Sequence, residues 1–400
     1  MLSRKNILIG ITGGIAAYKS AHLVREFIKA GANVKCIQTP ASKNFITPLT
    51  LSTLSKNEVF SEFTTDEENP RWNDHVTLGL WADVFIIAPA TANTLSKMSN
   101  GTCDNLLMAT YLSAKCPVYF APAMDLDMYK HPSTSDNLDK LARFGNIVIL
   151  PESGELASGL VGQGRMAEPV NIFNFVLDDL NEKLPLKAHT ILITAGPTYE
   201  AIDPVRYIGN RSSGKMGVAL AMDFANKGAK VTLVLGPSNI AVSHPNISVL
   251  NVESAKEMHA AAMHSFDECS IAIAAAAVAD YTPIIVSDRK IKKEEGTPLI
   301  ELTRTKDILA EMGANRKNQF LVGFALETHN ELDNANSKLK RKNLNMIVLN
   351  SLQDKGAGFQ VDTNKITILT KDNKKLSFEL KSKQEVAQDI VNTILTEIDA

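Results

Sequence analysis

Strand-like and helix-like patterns alternate along this chain, and this alternation limits the fold more than any other feature of the sequence. Short runs rich in apolar and β-branched residues predict strands, and longer segments with helical periodicity separate them. In the first half the predicted strands are Asn6–Ile11, Val34–Thr39, Val84–Ala88, Val118–Ala121 and Ile147–Leu150. This order is typical of parallel βαβ units. The first half therefore predicts a doubly wound α/β domain.

The same plan starts again after a polar stretch at residues 181–189. A predicted strand, Thr190–Thr194, is followed by a glycine-containing loop, a helix over about 213–227 and a strand, Lys230–Leu235. Gly31 and Gly228 directly follow the first helix of each half, where a left-handed C-terminal cap is expected. We predict two tandem Rossmann-like domains, over residues 1–182 and 189–400.

Composition excludes several classes of partner. The 42 basic and 44 acidic residues leave a net charge of −2, which gives no global field for nucleic acid or anionic membranes. The apolar run at residues 7–17 contains three glycines, which favours a strand and turn over a secretory signal, and the longest other run, Ile271–Ala279, is too short to span a membrane. The four cysteines form no CxxC pair, so we expect no disulfide framework and a cytoplasmic protein that acts on small molecules.

Glycines stand between the first predicted strand and helix, at Gly13 and Gly14, followed by Ile15. Free N–H groups and the helix dipole attract phosphate at such a position, although a tight turn without a ligand would use the same residues. A dinucleotide fold would place Asp or Glu at the end of the second strand, and this strand ends at Thr39 instead. NAD is therefore disfavoured, and a mononucleotide phosphate or an isoalloxazine ring suits the site better.

A third loop follows the strand Val84–Ala88 and contains Pro89, Thr91 and Asn93. Ligands of α/β sheets bind at this carboxyl edge, and the small residues of the loop would let a flat ring approach the backbone. Together the three loops resemble the homo-oligomeric flavin-containing cysteine decarboxylase family over residues 5–180. The resemblance implies that FMN is bound by Gly13, Gly14, Ile15, Thr39, Pro89, Thr91 and Asn93.

The same resemblance implies that phosphopantothenoylcysteine loses the carboxylate of its cysteine moiety, with FMN as the electron sink. By position in the family pattern, His75 is the general base. Asp125 and Ser158 stand where the family usually has Asn and Cys, and Tyr129 replaces a Trp. These changes leave the donor of the last proton open.

The second half has its own phosphate signals. Ser212, Ser213, Gly214 and Lys215 at a helix start combine hydroxyls, N–H groups and a cation, without the spacing of a Walker A loop; an ordinary capped helix would also fit. The basic run 290–293 lies on a loop-like stretch that would suit a flap over a triphosphate. Lys338 and Lys342 are four residues apart on a predicted helix and share one face.

This combination resembles phosphopantothenate–cysteine ligase over residues 189–400. The resemblance implies that CTP activates a carboxylate as an acyl-nucleotide intermediate. Asn210 would contact the acyl carbonyl and Lys290 would stabilise developing phosphate charge. The implied nucleotide-binding residues are Ala274, Ala275, Ala276, Asp280, Lys290, Lys306, Asp307, Ile308, Leu309, Phe324, Lys338 and Lys342. Mg²⁺ is expected with the triphosphate, with no ligand identified.

Both resemblances in one chain predict a bifunctional enzyme of coenzyme A biosynthesis, and they imply a flavodoxin-like first domain and a nucleotide-binding ligase domain after it. It would couple 4′-phosphopantothenate to cysteine and then decarboxylate the product to 4′-phosphopantetheine. Family resemblance further implies a homo-oligomer with trimeric flavin domains and dimeric ligase domains. Two alternatives stay open, an active ligase fused to an FMN-binding domain with impaired decarboxylase activity and a regulatory flavoprotein.

Overall fold

The computed structural model describes residues 2, 5–64, 72–292, 299–327, 329–351 and 361–398. The chain divides into two compact units, Met1–Glu182 and Lys183–Ala400. No helix within the described ranges combines the length and the apolar character that crossing a membrane requires.

The N-terminal unit is built on a parallel sheet of six strands in the order β3-β2-β1-β4-β5-β6. If the two-residue edge strand β3 is left out and the other five strands are renumbered in chain order, this is the 2-1-3-4-5 order of flavodoxin-like folds. The remaining two strands, β7 and β8, pair antiparallel as a separate hairpin. The strands of the unit are β1 (Asn6–Ile11), β2 (Asn33–Gln38), β3 (Val59–Phe60), β4 (Val84–Ala90), β5 (Val118–Pro122), β6 (Ile147–Val148), β7 (Glu152–Glu155) and β8 (Val161–Arg165).

Helices cover both faces of this sheet. They are α1 (Ser20–Lys29), α2 (Pro48–Ser55), α3 (His75–Trp81), α4 (Ala92–Asn100), α5 (Leu106–Ser113), α6 (Leu126–Lys130), α7 (Pro132–Arg143) and α8 (Pro169–Glu182), with 3₁₀-helices at Ile15–Lys19 and Pro40–Asn44. Residues of β1 alternate between two apolar cores, since Ile7 and Ile9 pack on one face and Leu8 on the other. The continuous apolar run of β1 is thus explained by burial on both faces.

The C-terminal unit contains an eight-stranded sheet in the order β13-β12-β9-β14-β17-β18-β20-β21. The first six strands are parallel, and β20 and β21 join antiparallel at one edge. The strands are β9 (Thr190–Ala195), β10 (Tyr199–Ala201), β11 (Tyr207–Gly209), β12 (Lys230–Leu235), β13 (Ile247–Asn251), β14 (Ile271–Ala274), β15 (Tyr281–Pro283), β16 (Leu302–Arg304), β17 (Phe320–Glu327), β18 (Met346–Ser351), β19 (Thr363–Asn364), β20 (Ile366–Thr370), β21 (Lys375–Ser377) and β22 (Lys381–Ser382).

Among the residues that the structure describes, five helices flank this sheet. Short antiparallel pairs lie outside it, β10 with β11, β15 with β16 and β19 with β22. The helices are α9 (Lys215–Asn226), α10 (Ala255–Phe266), α11 (Ile308–Asn315), α12 (Glu331–Arg341) and α13 (Lys383–Ile398). The central strand β9 again divides its side chains between two cores, Ile191 and Ile193 in one and Leu192 in the other.

The predicted Rossmann-like arrangement of both halves is confirmed. Asn6–Ile11 and Lys230–Leu235 coincide with observed strands, whereas the helix expected from Ser213 begins at Lys215. Gly31 and Gly228 have φ angles of 82° and 98° at the positions after the first helix of each unit. These are the left-handed caps that the two glycines predicted.

Candidate active sites

A cavity of about 560 Å³ lies at the carboxyl ends of β1, β2 and β4 in the N-terminal unit. It brings together Gly13, Thr39, Thr91 and Asn93 from the three loops that the sequence singled out. The strand order explains this, because β1 lies between β2 and β4 and the connections leave in opposite directions at this point.

The cavity wall combines close backbone packing with polar atoms. A Cβ on Gly13 would lie 2.8 Å from the Cβ of Ala41, so this loop approaches its neighbour as only glycine allows. The hydroxyl of Thr39 is buried and has no hydrogen-bond partner among the described residues. Thr91 caps α4, and its backbone N–H donates to the hydroxyl of Thr12 at 3.2 Å. This wall therefore offers an unpaired hydroxyl beside a narrow backbone cradle.

A second cavity of about 530 Å³ adjoins the first, since Ala123 and Met124 line both. Gly14, Ile15 and Asp125 line this second cavity. Asp125 is half-buried at the residue before α6, and its side chain does not cap that helix.

Two cations, Lys19 and Arg165, also line the second cavity. The ammonium group of Lys19, a buried side chain, donates to Glu168 at 2.8 Å and to the carbonyl of Met166 at 3.2 Å. Arg165 donates to the same carboxylate oxygen at 2.7 Å. The hydrogen bond from Lys19 is the main cause that lowers the pKa of Glu168. This cluster ties the end of the β7–β8 hairpin to the 3₁₀-helix after the glycine loop.

His75, Ser158 and Pro89 do not line either cavity. His75 is the first residue of α3; its Nδ1 atom is buried without a hydrogen-bond partner in the described part of the chain, and its ring lies 6.3 Å from that of Phe63. Ser158 is exposed between β7 and β8. Pro89 lies in β4, where its carbonyl accepts a hydrogen bond from Thr12 at 2.7 Å.

In the C-terminal unit, a cavity of about 460 Å³ lies at the carboxyl ends of β14 and β17. Most residues implied in nucleotide binding line it. They are Ala274, Ala276, Asp280, Lys306, Asp307, Ile308, Leu309, Phe324, Lys338 and Lys342.

Charged side chains of this cavity are held in place by one another. The Nζ atom of Lys342 lies 2.7 Å from Oδ2 of Asp307. Asp307 also caps α11, because its Oδ1 atom accepts a hydrogen bond from the N–H of Ala310. Burial alone would raise the pKa of Asp307, but hydrogen bonds from Lys342 and Ala310 outweigh it and lower the pKa. Burial and the nearby charge of Lys342 lower the pKa of Lys338, whose ammonium donates to the carbonyl of Phe324 at 2.7 Å.

A second cavity of about 370 Å³ shares a wall with the first, formed by Ala276, Val278, Asp280, Phe324 and Lys338. Its other side holds Asn210, Ser212, Ser213, Lys215 and Ala275. The amide nitrogen of Asn210 donates to the carbonyls of Ala277 and Val278 at 2.9 and 3.1 Å.

Asn350, Asn364 and Lys383 also line this cavity, although no sequence pattern singled them out. The Oδ1 atom of Asn350 is buried and lacks a partner among the residues that the structure describes. Lys383 is the first residue of α13, and Lys215, which lies 2.6 Å from Asp362, is the first residue of α9. Burial and the charge of Lys215 lower the pKa of Lys383. A lysine at the start of the last helix was the available signal.

Lys290 is exposed and lines neither of these two adjoining cavities. The next residue, Ile291, is held through its backbone by Asp203 and Arg206. Lys293, the last residue of the basic run, falls outside the described residues. Within the described ranges, no group of three or more His, Cys, Asp and Glu side chains is arranged to hold a metal ion.

Two family models together match nearly the whole chain. The flavoprotein family matches residues 1–181, and the DNA/pantothenate metabolism flavoprotein C-terminal domain matches residues 186–398. A solved structure, the C-terminal domain of the coenzyme A biosynthesis bifunctional protein CoaBC, is 39% identical, with a TM-score of 0.47, and the match covers 54% of this chain and 99% of that one.

Curated relatives match most of this chain. The coenzyme A biosynthesis bifunctional protein CoaBC of Bacillus subtilis is 44% identical over 98% of this chain and 97% of its own length. A cysteine/cysteine sulfinic acid decarboxylase from an unknown prokaryotic organism is 58% identical over 88% of this chain and 99% of its own length. With the two family models in this order, the chain belongs to the family of bifunctional coenzyme A biosynthesis enzymes, which carry a decarboxylase and a ligase.

Proposed function

We propose that the C-terminal unit couples 4′-phosphopantothenate to cysteine with CTP through an acyl-nucleotide intermediate, and that the N-terminal unit decarboxylates the product with FMN. The observation that carries the ligase proposal is the wall shared by its two cavities, with Lys338 in it. A reaction that joins a carboxylate to a nucleotide phosphorus needs two binding sites that meet at one point.

The larger cavity suits the nucleotide. Its Lys306, Lys338 and Lys342 supply positive charge for a triphosphate, and the N-terminus of α11 opens into it through Asp307, Ile308 and Leu309. Mg²⁺ would be carried by the triphosphate, since this ion usually keeps several waters and binds substrate phosphates.

The smaller cavity suits the phosphate of 4′-phosphopantothenate. Lys215 and Lys383 each begin a helix there, so two cations and two positive dipole ends converge. The hydroxyls of Ser212 and Ser213 add donors. The carboxylate end of the substrate would then extend toward Asn210 and the shared wall.

Activation of the carboxylate places negative charge on phosphorus-bound oxygens and on the acyl oxygen. We assign the first to Lys338 and Lys290. Fixed donors of this kind are typically worth about 3–4 kcal/mol each in the barrier. Asn210, whose Nδ2 atom already donates to two backbone carbonyls, would contact the acyl group without neutralising its charge. The unprotonated amine of cysteine then attacks the acyl carbon, and the nucleoside monophosphate leaves.

FMN fits the first cavity of the N-terminal unit. The unpaired hydroxyl of Thr39 and the cradle at Gly13 are suited to a phosphate group, and Thr91 and Asn93 at the start of α4 lie on the same cavity. When bound there, the flavin supplies the electron sink that loss of a carboxylate requires.

Asp125 lies in the adjoining cavity, where the reacting cysteine moiety would be placed. An ionised Asp125 at ~4 Å from the substrate carboxylate would repel it by about 4 kcal/mol at an effective dielectric constant of 20. We therefore propose that Asp125 meets the substrate as a hydrogen-bond donor and later supplies the proton that completes the saturated aminothiol.

The surface around His75 supports a homo-oligomer. Trp72, Val76 and Leu80 are 62%, 44% and 55% exposed. Apolar side chains grouped in this way are typical of protein interfaces. We propose trimers of this unit, in which His75 completes the cavity of a neighbouring copy, and dimers of the ligase unit. All four cysteines are free, which supports a cytoplasmic location.

The experiment that tests the main proposal incubates purified protein with 4′-phosphopantothenate, cysteine and CTP and follows the products by mass spectrometry. We expect phosphopantothenoylcysteine and then 4′-phosphopantetheine. Absence of the coupled product with both CTP and ATP would reject the ligase proposal.

A second candidate function concerns the decarboxylase substrate. The 58% identical relative is named a cysteine/cysteine sulfinic acid decarboxylase. Under this alternative, the N-terminal unit would act on free cysteine or cysteine sulfinic acid. Release of carbon dioxide from these amino acids, with none from phosphopantothenoylcysteine, would favour the alternative over the main proposal.

A further inference from the structure

The loop between β10 and β11 is organised around the buried carboxylate of Asp203, which is 3% exposed. One oxygen accepts the backbone N–H groups of Val205 and Arg206, at 2.8 and 2.9 Å. The other accepts Nε of the Arg206 side chain at 2.9 Å. These bonds, the guanidinium above all, hold the pKa of Asp203 well below its usual value.

The ion pair of Asp203 and Arg206 also binds the backbone of a segment far away in the sequence. The N–H of Ile291 donates to Asp203 at 3.1 Å, and the carbonyl of Ile291 accepts from Arg206 at 2.8 Å. Four residues earlier, the N–H of Ser287 donates to the carbonyl of Ile202 at 3.0 Å. The segment that carries Lys290 is therefore attached to this loop at two points.

The hairpin also leads directly into Asn210. Strand β11 ends at Gly209, and the side chain of Asn210 is then bonded to the carbonyls of Ala277 and Val278. The β10–β11 hairpin thus holds the segment of Lys290 and also leads into Asn210. These are two of the residues to which we give roles in the ligase reaction.

We propose that Asp203, through Arg206, is a positioning residue for Lys290 and fixes the course of its segment relative to the hairpin that bears Asn210. This inference rests on the role proposed for Lys290. The carboxylate of Asp203 is occupied by its own loop and by Ile291. Lys290 is exposed and lines neither cavity, so its side chain would have to reach the phosphate from this held segment. Without the attachment it would spend little time there, and a displacement of about 1 Å can cost ~100-fold in rate.

The test uses full-length protein in single-turnover assays of pyrophosphate release from CTP and 4′-phosphopantothenate, without cysteine. We expect Asp203→Asn to slow this step ~100-fold. The matched control is Asp267→Asn, which removes an exposed carboxylate from the surface pair with Lys317 and leaves the rate unchanged. If Asp203→Asn does not fold, Arg206→Met serves instead. It removes the hydrogen bond from the guanidinium to the Ile291 carbonyl and the ion pair with Asp203, and it keeps the Asp203 carboxylate.

Two further measurements separate positioning from a general loss of structure. Hydrogen exchange in the peptide over 287–291 should speed up in Asp203→Asn and stay unchanged in Asp267→Asn. The double variant Asp203→Asn/Lys290→Gln should be no slower than Lys290→Gln alone, whereas additive losses would overturn the inference. A normal rate for Asp203→Asn beside a slow Lys290→Gln contradicts this inference only; a normal rate for Lys290→Gln contradicts the role of Lys290 itself.

Discussion

Lys338 donates a hydrogen bond to the carbonyl of Phe324 at 2.7 Å, and both residues line each of the two adjoining cavities of the C-terminal unit. The carbonyl fixes the ammonium at the place where contents of the two cavities meet. Among the lysines of the larger cavity, it is Lys338 that also faces the smaller one.

Replacing Lys338 with Met should therefore impair the ligase more than loss of an ordinary binding contact. We expect the rate of acyl-nucleotide formation to fall ~100-fold or more, as when one fixed donor is removed from a site of developing charge. Lys340→Met on the same helix is the matched control, because Lys340 is exposed. Equal effects of the two substitutions on pyrophosphate release would contradict the assignment.

The pH dependence of this half-reaction should report on Lys338. Its pKa is lowered by burial and by Lys342, so the ammonium is present at low pH and is lost as pH rises through that lowered pKa. Without cysteine, the rate should fall on the alkaline side below the pH at which an exposed lysine titrates. Lys338→Arg should move this fall to higher pH because a guanidinium stays charged, whereas Lys340→Arg should leave the profile unmoved.

Lys290→Gln should abolish coupling of 4′-phosphopantothenate to cysteine and spare the flavin content, because Lys290 belongs to the other unit of the chain. Asn210→Asp should also impair turnover, since it places a negative charge beside the acyl oxygen. Product analysis by mass spectrometry checks both variants. Near-normal coupling would remove the residue concerned from its assigned role.

The purified protein should be yellow and contain one FMN per chain. Asn93→Ala should lower that content, because Asn93 lines the first cavity of the N-terminal unit at the start of α4. Asn100→Ala, at the other end of the same helix, is the control and should keep its flavin. Extraction of FAD, NAD or no flavin from the native protein would contradict the proposed cofactor.

Asp125→Ala should stop decarboxylation of phosphopantothenoylcysteine, since it removes the hydrogen-bond donor that we assign to the substrate in the second cavity. Asp127→Ala, two residues on and exposed, should decarboxylate normally. The native protein should release carbon dioxide and form the saturated aminothiol. Accumulation of the oxidised enethiol by the native protein would show that Asp125 does not replace the thiol missing at Ser158.

Local patterns in the sequence were enough to predict the fold class and several elements to the residue. Strands such as Asn6–Ile11 and Lys230–Leu235 follow from continuous apolar runs, and Gly31 and Gly228 predicted helix ends from backbone sterics alone. The three loops of the first cavity could be grouped in advance, because the carboxyl ends of adjacent parallel strands lie together.

Other relationships depend on which distant segments the fold brings together. Lys383 lies 168 positions after Lys215 along the chain, and the two line one cavity because α9 and α13 pack on the same core. His75 and Ser158 belong to the same family pattern as Asp125, yet they do not line its cavity. The sequence by itself determined the periodicity, the caps and the class of fold, since these depend on neighbouring residues. Only the tertiary structure decided that Lys338 stands between two cavities and that Asp203 grips Ile291, because such contacts arise from packing between segments far apart in the chain.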